Sequence, residues 1–128
     1  MNAAELNDLS RKIIGAAIEV HSILGPGLLE EAYEAALCHE LHLRNINAKR
    51  QVSLPVIYKG VEIKDPYRMD LLVDGEIVVE LKATQENSPL YAKQLLTYLR
   101  LSGKKLGLLI NFNHEVLKEG LTRVVNHL

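Results

Sequence analysis

The chain has a single cysteine, Cys38, one phenylalanine, no tryptophan and no excess charge of either sign. One thiol makes neither an intramolecular disulfide nor a CxxC-type zinc site, and it fits a reducing compartment. Fifteen Lys plus Arg against sixteen Asp plus Glu give a formal charge of −1. That balance excludes a global positive field drawing the protein onto nucleic acid, so any such binding needs a local patch. No stretch approaches the ~20 apolar residues of a membrane span, and Met1-Asn2-Ala3-Ala4-Glu5 lacks the basic segment and apolar run of an export signal. The expectation is a soluble cytoplasmic protein with no membrane partner. What is there is 128 residues, 48% of them apolar, which suits one compact domain over 1–128. A chain of this size buries roughly two-thirds of its extended surface, enough for a core without staples.

Asn2 followed by Glu5 forms a capping box, and Leu6, Leu9, Ile13, Ala17, Val20 and Leu24 recur at helical spacing. Gly25-Pro26-Gly27 then stops the helix, since Pro lacks an N–H and Gly supplies unusual dihedrals. A second helical period runs over 28–44, through Leu29, Ala32, Tyr33, Ala36, Leu37 and Leu41, predicting a helical hairpin. Beyond Asn45 the pattern turns to short β-prone runs over 52–58, 61–64, 67–73 and 77–83, read as an antiparallel meander. Ser88-Pro89 opens a third helix over about 89–102, closed by Gly103. The apolar run 106–111 predicts a strand buried on both faces, and 121–125 is a last strand or a short terminal helix.

Two acidic placements stand out. Asp70 lies within an otherwise apolar strand, and Glu80-Leu81-Lys82 follows directly from Ile77-Val78-Val79. Strand side chains alternate faces, so Glu80 and Lys82 project together while Leu81 points away. Whether Asp70 joins them depends on the turn at Asp74-Gly75. A two-residue type I′ loop pairs Asp70 with Val79, whereas an odd-length loop puts Asp70 on the Glu80 face. The odd loop is the reading adopted. Two carboxylates converging at a strand end, with a backbone carbonyl such as that of Leu81, make a hard oxygen site for Mg²⁺ or Mn²⁺. A neighbouring Lys orients water or offsets phosphoryl charge, and phosphodiester hydrolysis is the natural reaction.

Asp70 followed by Glu80-Leu81-Lys82 resembles the shared pattern of the PD-(D/E)XK nuclease superfamily, with Met69 standing where that pattern has Pro. Gly27-Leu28-Leu29-Glu30-Glu31-Ala32-Tyr33 is similar to the motif naming the GxxExxY family, a small-protein branch of that superfamily. Gln94-Leu95-Leu96-Thr97-Tyr98 looks like the Gln-xxx-Tyr motif of its RecB-like members. The resemblance covers nearly the whole chain. It implies a restriction-endonuclease-like α/β fold, with a central mixed sheet flanked by the helical hairpin and by the helix after the Lys-bearing strand. It also implies a metal-dependent nuclease acting on nucleic acid, DNA ahead of RNA. Asp70 and Glu80 would be metal ligands, Glu30 would bind metal directly or through water, Lys82 would be catalytic, and Gln94 and Tyr98 would bind substrate.

Each feature also has a plainer reading. Glu80 and Lys82 could be an exposed ion pair, Glu30 a helix-dipole carboxylate, and Gln94 with Tyr98 a polar core edge. Tyr33 reads as half buried with its hydroxyl as a polar handle. His21 is a core-edge histidine or a partner reaching Glu30 across the turn. His39, His42, His114 and His127 carry no assigned role, and Cys38 reads as packing. Lys49, Arg50, Lys59, Lys64 and Arg68, with Lys93, Arg100, Lys104 and Lys105, are either solvated charge or a phosphate-binding rim. Expected core residues are Leu29, Ala36, Leu71, Val79, Leu95 and Leu108. The rival to an enzyme is a noncatalytic nucleic-acid-binding or protein-interaction module on the same fold, and a symmetric homodimer through an apolar helix face would enlarge its surface.

Overall fold

The computed structural model begins with helix α1 (Ala3–Leu24), and Asn2 caps it as the sequence predicts. The Asn2 side chain accepts the Glu5 N–H at 2.8 Å and the Glu5 carboxylate accepts the Asn2 N–H at 3.1 Å. Residues 1–128 are described, apart from the side chains of residues 64–66; Lys64, one of the basic residues assigned to a possible rim, lies among these. After the Gly-Pro-Gly turn, α2 spans Glu30–Leu43, starting two residues later than the periodicity suggested. Leu29 is therefore the residue before the helix, and it is 82% exposed instead of in the core. The turn is tied by Tyr33, whose hydroxyl donates to the Gly25 carbonyl at 2.5 Å and accepts the Leu28 N–H at 3.1 Å. Tyr33 is fully buried, not half buried, because its ring stacks on Phe112 with centroids 4.4 Å apart.

The β region contains three strands before the next helix, where the sequence suggested four. They are β1 (Ala48–Tyr58), β2 (Val61–Val73) and β3 (Ile77–Lys82). The segments 61–64 and 67–73 belong to one strand, because a register shift between Leu54 and Val56 of β1 lets the β1–β2 ladder continue. Helix α3 (Pro89–Ser102) follows, then β4 (Leu106–Asn111), a 3-10 turn (Leu117–Gly120) and β5 (Leu121–Val125), so the ambiguous last segment is a strand. The five strands lie in sequence order across one sheet. Only β3 and β4 run parallel, which requires the crossover that α3 supplies; the other neighbours are antiparallel.

The sheet is covered on both sides. Alternate residues Leu71, Val79, Leu81, Leu108 and Ile110 pack with α1 and α2, while Val78 and Leu109 pack with Leu95, Tyr98 and Leu99 of α3. All six residues of β4 are buried, as an uninterrupted apolar run in a two-faced strand should be. Gly107 lets α3 approach: a Cβ there would sit 2.9 Å from Leu95 Cδ1. Ala36 is partly buried against the α1–α2 side of the core. Among the described residues no helix is long and apolar enough to cross a membrane.

Candidate active site

The turn between β2 and β3 decides which groups meet. Val73 accepts the Glu76 N–H at 2.9 Å, and Asp74 and Gly75 both have positive φ, as in an I′ turn. Glu76 is one residue extra, so the ladder resumes with Val73 opposite Ile77 and Leu71 opposite Val79. An odd loop is thus present, and continuing that register sets Asp70 opposite Glu80, on the same face as Lys82.

Beyond the Leu71–Val79 pair the backbone ladder stops and side chains take over. The Asp70 carboxylate accepts the Leu81 N–H at 2.8 Å, and the Glu80 carboxyl accepts the Asp70 N–H at 3.4 Å. Each strand satisfies the other's exposed N–H with a carboxyl oxygen, so the two carboxyls are held where the strands part. Glu80 is 7% exposed. Burial first, and the neighbouring Asp70 second, push its pKa up to about 9, so the carboxyl keeps a proton at neutral pH. Lys82, on the α3 side, lies with Nζ 4.7 Å from the centroid of the Tyr91 ring. Gln94 donates from Nε2 to the Tyr98 hydroxyl at 3.1 Å, and Tyr98 is buried with its ring tilted against Tyr67 at 5.9 Å. Burial, reinforced by the charge of Glu80, raises the Tyr98 pKa.

On the α2 side a cleft of about 300 Å³ is lined by Glu30, Glu31, Glu34, Arg50, Gln51, Asp70 and Leu81. Burial raises the pKa of Glu30, Lys82 opposes it, and the charges of Asp70 and Glu34 add to it, so Glu30 shares the electrostatic neighbourhood of the strand residues. Among the described residues, no three His, Cys, Asp or Glu side chains gather closely enough to hold an ion by themselves. The oxygen donors at the strand break nevertheless suit Mg²⁺ or Mn²⁺. Magnesium retains waters and takes only one or two protein carboxylates, with substrate phosphate completing the shell. Buried Glu80 and half-buried Asp70 form the site whose charge such a cation would neutralise, in place of the proton now held by Glu80.

A family model of the PD-(D/E)XK nuclease superfamily matches residues 7–124. The chain belongs to that superfamily. No curated protein and no solved structure matches it. In this PD-(D/E)XK protein the cleft is completed by Glu34 and Gln51, which sequence reasoning missed, and by Arg50, which it read only as solvated charge or part of a phosphate-binding rim. Glu34, 5% exposed, accepts from Arg50 Nε at 3.0 Å and Nη2 at 2.9 Å, and from Gln51 Nε2 at 2.6 Å. Gln51 also donates to Asp70 at 3.4 Å. Glu34 had a sequence signal, since it lies one helical turn after Glu30; Arg50 and Gln51 had none, because their partners are on another element.

Other expectations are corrected. Arg50 is paired with Glu34 and is not free rim charge. Arg68 donates to the Gln51 carbonyl at 3.3 Å, and Lys59 lies over the Tyr58 ring at the hairpin tip. Lys104 and Lys105 precede β4, whose first residue pairs with Ile77, so they lie at the end of β3 remote from Lys82. Arg100 is in the last turn of α3, whereas Lys93 is near its start. Lys104 and Lys105 therefore do not join Lys82 in one rim. His21 does not reach Glu30; its Nε2 meets the His114 carbonyl at 2.6 Å. Cys38 is buried and its thiol pKa is raised by burial, which fits packing.

Proposed function

We propose that the protein hydrolyses phosphodiester bonds of nucleic acid, DNA ahead of RNA, with Mg²⁺ or Mn²⁺, and that within its superfamily it belongs to the GxxExxY branch resembled by Gly27–Tyr33. The single observation that supports this most is the three-residue loop, which aligns Asp70 with Glu80 beside Lys82 where β2 and β3 part. Asp70, Glu80 and the Leu81 carbonyl would hold the ion. When bound, the cation polarises the scissile phosphate and offsets the carboxylate charge.

The protein's own groups supply the rest. Lys82, its ammonium held against the Tyr91 ring, orients the attacking water and stabilises charge developing on the phosphoryl oxygens. Glu30 acts through water, since it is not gathered with Asp70 and Glu80 into a three-carboxylate cage. Gln94 spends one N–H on Tyr98 and keeps its carbonyl and second N–H for a base or phosphate. The alternative, a noncatalytic nucleic-acid-binding or protein-interaction module, leaves the buried Glu80 carboxyl beside Asp70 without a task. The test is cleavage of single- and double-stranded DNA and RNA with Mg²⁺ or Mn²⁺, comparing wild type with Asp70→Asn and Lys82→Met. Cleavage by wild type that both substitutions abolish is the expected result; identical traces from all three proteins favour the binding module.

A further inference from the structure

We infer that Gln51 is a positioning residue for Asp70, its side-chain amide clamped by the Glu34–Arg50 ion pair so that it turns the Asp70 carboxylate toward the ion site. This rests on the metal-dependent reading above. The backbone of Gln51 has φ +52°, a left-handed conformation that a long side chain rarely adopts and that persists only where the surroundings hold it. Pairing does not require that strain, because Arg50–Leu71 and Val52–Met69 keep one register on either side of Gln51. The side chain does have a use for it. From this position Nε2 donates to Glu34 Oε1 at 2.6 Å and to Asp70 Oδ1 at 3.4 Å.

Each partner leaves the amide little freedom. Glu34 Oε2 is occupied by both Arg50 donors, which leaves Oε1 facing Gln51. Asp70 Oδ2 is held by the Leu81 N–H at 2.8 Å, so Gln51 addresses the oxygen that remains. With both oxygens tethered, the carboxylate plane is set before any cation arrives. Arg50 pairs with Glu34 at 2.9 Å and offsets part of its charge beside Asp70. Groups orienting a metal ligand from behind typically contribute 10–100-fold in affinity.

The experiment compares wild type with Gln51→Gly, which accepts the left-handed backbone but lacks the amide, and with Gln51→Met, which keeps the length without the donor. Three quantities are read: Mn²⁺ affinity by calorimetry, the melting temperature, and the Asp70 orientation in metal-free crystals. Positioning predicts that Gln51→Gly melts no lower than wild type while both variants lose roughly 10–100-fold in Mn²⁺ affinity, with Asp70 turned away from the Leu81 N–H. A purely structural Gln51 would lower melting and leave affinity within about twofold. An unmoved Asp70 or unchanged Mn²⁺ affinity overturns the inference while leaving the metal reading intact. If wild type itself binds no Mn²⁺, the metal reading fails, and the Asp70 orientation alone decides whether Gln51 positions it.

Discussion

The Asp70 carboxylate takes the Leu81 N–H at 2.8 Å, at the point where β2 and β3 cease to pair through their backbones. One side chain thereby closes the gap between the strands. The buried neighbour Glu80 shares the site, and several consequences can be measured.

The first concerns pH. Glu80 holds its proton to about 9 in the folded protein, against 4.5 for an ordinary carboxyl, because burial and Asp70 disfavour its charge. Between those values the folded state binds the extra proton, so metal-free stability falls as pH rises and the loss is complete above about 9. Glu80→Gln should flatten this slope and raise the melting temperature at alkaline pH. Mg²⁺ or Mn²⁺ should stabilise wild type more at high pH than at low, with proton release on binding seen as a buffer-dependent heat. Parallel melting curves for wild type and Glu80→Gln across this range would falsify the assignment.

Tyr91 should matter through Lys82. Its ring faces the ammonium at 4.7 Å, an interaction of about 0.5–2 kcal/mol. Tyr91→Leu keeps an apolar side chain on α3 while removing the ring face. We expect cleavage to slow by roughly 3- to 30-fold at saturating substrate, with Mn²⁺ affinity unchanged. A weaker ion affinity instead would show that the ring supports the carboxylates and not the lysine.

Tyr33 ties the chain just before Glu30. Tyr33→Phe leaves the Phe112 stack but removes the hydroxyl shared by the Gly25 carbonyl and the Leu28 N–H. The expected cost is about 1–3 kcal/mol, read by denaturant unfolding. Hydrogen exchange at residues 25–30 should accelerate; protection equal to wild type would show that the turn holds without its tie.

Gly120 is a matter of space. A Cβ there would lie 2.1 Å from the Asn111 carbonyl oxygen, which is backbone and cannot swing aside. Gly120→Ala should destabilise by on the order of 3 kcal/mol and shift the end of β4 next to Lys82, which pairs with Asn111. Thermal melting of that variant, compared with Gly103→Ala, separates crowding from conformational strain: an added Cβ at Gly103 meets nothing, though its φ is +73°.

Elements with strong local signals were legible in the sequence. The capping box of α1, the Ser88-Pro89 start of α3 and the apolar run of β4 form as their residues suggest. Local pattern misled where a tertiary partner outweighed it. Leu29 fits a helical period but stands outside α2, since Tyr33 holds residues 25–28 in a turn. Arg50 looked like free charge until Glu34 of α2 came beside it.

Side-chain alternation is a property of any extended backbone, so the order of residues alone determined that Glu80 and Lys82 share a face, and that apolar periods make two helices, a sheet and a crossover helix. Only the folded chain decided that Glu76 would be the extra residue in the β2–β3 turn, bringing Asp70 across from Glu80, and that Glu34, Arg50 and Gln51 would converge behind it. Periodicity is written in neighbouring residues. Register and contacts between elements are set by which packed arrangement satisfies every buried group at once.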